Sequence, residues 1–127
     1  AANACPPLLI GVGVGGSFDK VAGLSKQALL REIDGCGVRD ARAAAKPDNP
    51  DNPDNPDIQS LQLKDMELEL LRRINELGIG PGGLGGDTTA LAVHINTAPC
   101  HIAALPVAVN LGCCAQRSVS FYLEIGD

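Results

Sequence analysis

The stretch Pro7-Leu8-Leu9-Ile10-Gly11-Val12-Gly13-Val14-Gly15-Gly16-Ser17-Phe18-Asp19-Lys20 decides the fold class. Its first half is a short apolar run rich in branched residues, which reads as a buried strand over 7–14 ending in glycines. Ser17 then offers a helix N-cap, and Asp19 stands in the first turn, where the helix dipole favours an anion. Phe18, Val21, Ala22, Leu29 and Ile33 recur at helical spacing and predict an amphipathic helix over 18–33.

Beyond that helix the pattern breaks. Gly35 and Gly37 stop it, and Asp-Asn-Pro repeats three times between Asp48 and Pro56. Proline removes a backbone donor and drives its predecessor out of the helical region, so 34–57 reads as an exposed loop. A calcium-binding repeat is disfavoured there, because no glycine turn or terminal bidentate Glu accompanies the aspartates. A second helix is predicted over 60–77, with Leu63, Met66, Leu70, Ile74 and Leu77 as its buried stripe and Glu69–Arg73 as an i,i+4 pair. After a glycine-rich run, Leu91, Val93, Ile95 and Thr97 alternate within a strand over 89–97. Leu105, Val107, Val109 and Leu111 make another, with Pro106 near its start, and Ser118 to Ile125 reads as a further strand. Strands flanking helices give an α/β (or α+β) class, with a mixed sheet of about four short strands and one partial domain over 1–127.

Composition narrows the function classes. The chain has 127 residues, 45% hydrophobic, so it has material for a modest core. With 15 Gly, no Trp, one Tyr and two Phe, that core must be built from small and branched aliphatic side chains around closely approaching backbone. A net charge of −5 and near absence of aromatics argue against nucleic acid, which needs basic footprints and stacking platforms. No apolar run approaches the eighteen or so residues that cross a bilayer, and the start lacks the basic region of a secretory signal. Because the chain begins at Ala1, with dense motif-like sequence already at residue 5, it is expected to be a piece of a longer protein. Five cysteines without a Cys-x-x-Cys spacing support neither a disulfide scaffold nor a zinc ribbon. Cys36 reads as a small buried thiol, and the others are open to metal ligation.

Three motifs remain. Gly11, Gly13 and Gly16 match the dinucleotide fingerprint Gly-x-Gly-x-x-Gly between a strand and a helix, which makes a nicotinamide-binding module the alternative reading. The match fails at the next step, because no strand ending in an acidic residue follows the helix soon after. Gly78, Gly80 and Gly83 repeat the spacing after a helix instead of a strand, and neither loop is followed by the Gly-Lys-Ser/Thr of a P-loop. Such loops serve either close backbone packing or backbone amides converging on an anion. His94, on a small-residue face with Ala90, Ala92 and Asn96, reads as a core or interfacial histidine, whereas His101 stands in a connection between strands, where chemistry tends to sit.

Taken together, the block from Ala4 to Lys20, the run Gly78-Ile79-Gly80-Pro81-Gly82-Gly83-Leu84-Gly85-Gly86 with Thr88-Thr89-Ala90-Leu91, the run Cys100-His101-Ile102-Ala103-Ala104-Leu105-Pro106-Val107-Ala108-Val109-Asn110, and Cys113 resemble the iron–sulfur hydro-lyases. That family includes class I fumarate hydratase and the α subunit of L(+)-tartrate dehydratase. The resemblance spans essentially the whole chain except the Asp-Asn-Pro loop. It implies a four-iron, four-sulfur (4Fe-4S) cluster held by three cysteines with one iron open. Two ligand positions fall on Cys5 and Cys113, with Cys114 as the alternative to the latter, and the third lies upstream of this chain. His101 matches a histidine that contacts substrate close to the cluster. The implied reaction is reversible hydration of a dicarboxylate such as fumarate, or dehydration of tartrate, in a reduced cytoplasmic setting. The implied partners are a β-subunit-like domain or subunit and further copies in an oligomer. No catalytic acid or base is identified, and this piece alone is expected to be inactive.

Overall fold

A computed structural model describes residues 2–31, 33 and 56–115. Three strands and two α-helices organise them: β1 (Leu8–Gly15), α1 (Phe18–Leu29), α2 (Pro56–Asn75), β2 (Ala90–Ala98) and β3 (Val107–Cys113). The sheet order is β2-β1-β3, with β2 parallel and β3 antiparallel to the central β1. The α/β class with a mixed sheet therefore holds, with three strands in place of about four; the run 118–125, Cys36 and nearly all of the Asp-Asn-Pro loop lie outside the described residues. Residues 56 and 57, expected in that loop, instead begin α2.

Alternation along β1 sends Leu9, Gly11 and Gly13 to one face and Leu8, Ile10 and Val12 to the other. On the first face α1 lies directly on the glycines. A Cβ built on Gly11 would meet the Ser25 carbonyl oxygen at 2.2 Å, and one on Gly13 would meet the Val21 carbonyl oxygen at 2.4 Å. Only a strand without side chains there admits the helix backbone so closely, and only small residues fit from the helix side. The buried residues of α1 are accordingly Val21, Ser25 and Ala28. The expected stripe is corrected: Phe18, Ala22 and Ile33 are exposed and the helix stops at Leu29. Ser17 does occupy the N-cap position, but its hydroxyl donates to the Asp19 carboxylate at 2.5 Å instead of capping the backbone. That hydrogen bond holds the Asp19 carboxyl below its usual pKa.

Polar side chains of the flanking strands complete the seat of α1. The Nδ2 of Asn110 donates to Ser25 Oγ at 2.6 Å, the Nδ2 of Asn96 donates to the Leu24 carbonyl at 3.3 Å, and His94 Nδ1 lies 3.1 Å from the Ala28 carbonyl. His94 is thus an interfacial residue, as its small-residue neighbours suggested. One neighbour is reassigned. A register shift between Leu8 and Leu9 leaves Leu91 without a β1 partner, which turns Ala90 to the side of Val93 and leaves Leu91 exposed.

The opposite face carries the apolar cluster of Leu8, Ile10, Ala90 and Val93, against which Leu70, Leu71 and Ile74 of α2 pack. Two residues of the expected stripe are exposed: Leu77, which lies beyond the end of α2 at Asn75, and Met66, next to Glu67, which is turned inward instead. Its carboxylate accepts from the Ile95 N–H at 2.7 Å and from Arg31 Nη1 at 2.8 Å, while Arg31 also donates to the Ile95 carbonyl at 3.3 Å. The outer edge of β2, on the side away from β1, is covered at Ile95 by this ion pair, which satisfies groups a free strand edge would leave open. On the outer side of α2, Glu69 pairs with Arg73 at 2.7 Å, as its spacing predicted, and also with Arg72 at 2.9 Å. The two guanidiniums, Arg72 first, hold the Glu69 carboxyl down to about 2. Whatever this exposed pairing contributes is present above the ordinary glutamate range and is lost as pH falls through about 2.

Gly11→Ala should destabilise the protein by about 3 kcal/mol, since the Ser25 carbonyl has nowhere to retreat. Gly23→Ala, on α1 with nothing within 4 Å of its added Cβ, should stabilise it by about 0.5–1 kcal/mol. Opposite shifts of the two denaturant midpoints test this reading. Glu67→Ala, which strands the Ile95 amide and removes the ion pair of Arg31, should cost about 2 kcal/mol in the same measurement.

Candidate functional site

The register brings the chemically distinctive residues to the two ends of the sheet. Leu8 pairs with Cys113, so the start of β1 and the end of β3 share one end. Cys5 lies three residues before Leu8, and the short 3-10 turn Ala2–Ala4 that precedes it packs against β3. Cys113 is half-buried, and Cys5 and Cys114 are exposed. Cys5 is the one non-glycine residue among those described with a positive φ, at 55°. Such backbone is uncommon outside glycine and costs about 1–3 kcal/mol, and it collects at functional sites. The Pro6–Pro7 peptide that follows is cis.

The second glycine run joins them at this end. The Gly82 N–H donates to the Pro6 carbonyl at 2.8 Å, and a 3-10 turn over Pro81–Gly83 packs on the Ala2–Ala4 turn. The run is closed by a bridge between Ile79 and Gly86 and by the Gly85 N–H donating to the Ile79 carbonyl at 2.8 Å. Gly80 requires its missing side chain: its φ is 65°, and a Cβ would stand 2.0 Å from the Gly85 carbonyl oxygen. Residues 81–88 are otherwise exposed. The result is an accessible, glycine-rich backbone loop beside an accessible thiol.

Thiolates are soft ligands suited to iron–sulfur and zinc centres, and Cys5 with Cys113 or Cys114 can provide two of them here. Among the described residues no three His, Cys, Asp or Glu side chains converge on one point, so the described part supplies a partial ligand set.

His101 does not join this end. The connection 99–106 leaves β2 at Ala98, the partner of Gly15, and enters β3 at Val107, the partner of Val14. It lies at the other end of the sheet, six residue steps of β3 from Cys113, or about 20 Å at strand rise. His101 is exposed there; its Nδ1 accepts from the Ala103 N–H at 3.1 Å and its carbonyl from Ala104 N–H at 2.9 Å. The expectation of a histidine close to the cysteine pair is therefore not met within one copy. An antiparallel β3 separates the two positions by its full length.

The dinucleotide fingerprint is also resolved. Gly11 and Gly13 lie inside β1 with their side-chain space filled by α1, and only Gly15 and Gly16, with φ of 84° and 72°, form the strand-to-helix turn. The first two glycines serve helix packing, so the motif does not build a phosphate loop. A groove of about 560 Å³ lies between α2 and Asp87, lined by Leu68, Leu71, Arg72, Asn75 and Glu76, and contains none of the residues singled out from sequence. No helix among the described residues is long and apolar enough to cross a membrane.

Sequence reasoning missed Glu67 and Asn75, and gave Thr89 and Asn110, which lie inside the quoted blocks, no role. Each acts through partners between 9 and 85 positions away, and nothing in local spacing signals such a contact.

A protein of Methanocaldococcus jannaschii named "Putative L(+)-tartrate dehydratase subunit alpha" is 43% identical over 113 residues, covering 89% of this chain and 32% of that protein. The L(+)-tartrate dehydratase subunit alpha of Escherichia coli is 38% identical over 117 residues, 92% of this chain and 32% of its own length. The chain thus spans about a third of the length of the curated relatives it matches. Residues 1–122 match the family described as Fumarate hydratase (Fumerase), and the chain belongs to that family.

Proposed function

We propose that this chain is part of an iron–sulfur hydro-lyase that adds water to, or removes it from, a small dicarboxylate such as fumarate, malate or tartrate. The observation that carries this reading is the gathering of Cys5, Cys113 and the glycine loop 78–86 at one end of the sheet, in a chain of the fumarate hydratase family.

Cys5 and Cys113 would hold a 4Fe-4S cluster as two of its thiolate ligands, with the third supplied from outside this chain. When bound, such a cluster supplies a Lewis-acidic iron that polarises the substrate hydroxyl. The chain's own part is to hold two sulfurs at fixed positions and to present the backbone of the glycine loop at close range, where its amides donate to sulfur or to substrate oxygen. Removal of the proton on the neighbouring carbon needs a positioned base, to which we assign no described residue. His101 would bind a substrate oxygen. Because β3 separates it from the cysteines of its own copy, it would serve the cysteine end of a second copy, which makes the working unit an oligomer. The relatives named as alpha subunits support a β-subunit-like domain or subunit as a further partner. An exposed cluster iron is oxygen-sensitive, which fits a reduced cytoplasmic location.

Anaerobic reconstitution of the full-length protein with ferrous iron and sulfide should give a cluster that Cys5→Ser and Cys113→Ser each abolish and Cys114→Ser spares. Normal iron content and turnover in Cys5→Ser would refute the assignment. His101→Asn should retain the cluster and raise KM about tenfold or more, the loss of one hydrogen bond to a charged group. Co-refolding Cys5→Ser chains with His101→Asn chains should, at substrate well below the wild-type KM, restore about a quarter of wild-type activity above the residual rate of the His101→Asn dimers, since half of random dimers pair the variants and each such dimer keeps one intact site. No recovery would place His101 and the cysteines in the same copy's site.

A further inference from the structure

One buried residue links β1, α2 and the glycine loop at the cysteine end. Thr89 is fully buried, at 0% exposure, immediately before β2. Its carbonyl accepts from the Leu8 N–H at 2.9 Å, which ties it to the start of β1, three residues from Cys5. Its hydroxyl oxygen accepts from the Gly80 N–H at 3.2 Å, which ties it to the glycine loop. Its own N–H, with that of Ala90, donates to Asn75 Oδ1, both at 2.8 Å, which ties it to the last residue of α2. The loop so anchored then reaches Cys5 through the Gly82 N–H and the Pro6 carbonyl. A path therefore runs from α2 through hydrogen bonds of Asn75, Thr89 and Gly80, along the chain to Gly82, and by a last hydrogen bond to the Pro6 carbonyl, one residue after Cys5.

We infer that Thr89 and Asn75 are positioning residues for the proposed cluster site, holding the glycine loop against the Cys5 segment so that the thiol and the loop amides keep one relative placement. This deepens the proposed function and rests on it for the identity of the group held, but the anchoring itself concerns the protein alone. Neither residue touches a sulfur. They act through the loop, where a β-branched hydroxyl restricted at χ1 and a carboxamide oxygen shared by two amides leave little freedom. Valine at position 89 keeps the shape and removes the acceptor, stranding the Gly80 amide.

The test uses the full-length protein, without iron, in wild-type, Thr89→Val, Thr89→Ser, Asn75→Leu and Asn75→Asp forms. Hydrogen exchange of the 79–86 amides and the alkylation rate of Cys5 by iodoacetamide are read by peptide mass spectrometry. Thr89→Val and Asn75→Leu should each accelerate both by about tenfold or more, the effect of one lost buried hydrogen bond, and leave exchange in α1 and alkylation of Cys113 unchanged. Thr89→Ser and Asn75→Asp, which keep an acceptor, should behave as wild type. Should Thr89→Val fail to fold, Asn75→Leu carries the same comparison. Wild-type exchange and alkylation in both disruptive variants would overturn the inference, as would acceleration spread evenly over α1 and the loop. Iron loading separates the two readings. If wild type takes up no cluster while the local acceleration is seen, the cluster assignment fails and the anchoring stands; if wild type loads iron and the variants load and exchange equally, the anchoring fails and the cluster assignment stands.

Discussion

The fold depends on one steric permission: the backbone of α1 resting on a stretch of β1 that has no side chains. Gly11 and Gly13 leave a channel one atom deep, and Ser25 with Ala28 keeps the helix side equally flat. Close approach lets Asn96, Asn110 and His94 reach the helix from the flanking strands and hydrogen-bond to it. The first helix is thus held as much by polar contacts as by apolar burial, consistent with a chain nearly free of aromatic side chains. Once α1 occupies one face, the apolar side of β1 must be covered from the other, and α2 provides that cover over β1 and β2 with Leu70, Leu71 and Ile74.

α2 contributes more than an apolar stripe. Glu67 covers the exposed edge of β2 together with Arg31, and Asn75 captures the two amides that open that strand. Both polar residues face inward from a helix whose periodicity alone assigns that side to leucines. Desolvating them is tolerable because each finds backbone partners that would otherwise be open. Along β3 the opposite holds: Val107 and Val109 are 57% exposed and Leu111 is 48% exposed, on the same face as the α2 contact but beyond its reach.

The two ends of the sheet carry different chemistry. At one, Cys5, Cys113 and an open glycine loop lie around the start of β1. At the other, the strand-to-helix turn of Gly15 and Gly16 meets the connection bearing His101. Antiparallel pairing of β3 with β1 imposes this division, because residues near the two ends of one extended strand cannot meet.

By itself, the sequence determined the elements: the β1–α1 unit, a second helix, two later strands, the glycine loop and the residues worth watching. These are legible because periodicity, helix stops and glycine runs are local signals set by steric limits on a few neighbouring dihedrals. The blocks around Cys5, Gly78–Gly86 and Cys113 likewise identified the family, since their order along the chain carries that information. Only the tertiary structure decided that Gly11 and Gly13 serve packing instead of phosphate binding, that Glu67 and Asn75 turn inward, and that Cys5 and Cys113 fall at one end of the sheet and the connection bearing His101 at the other. Those outcomes depend on strand direction, register and helix approach, which are properties of segments tens of residues apart, and no window of sequence contains the energy that selects among them.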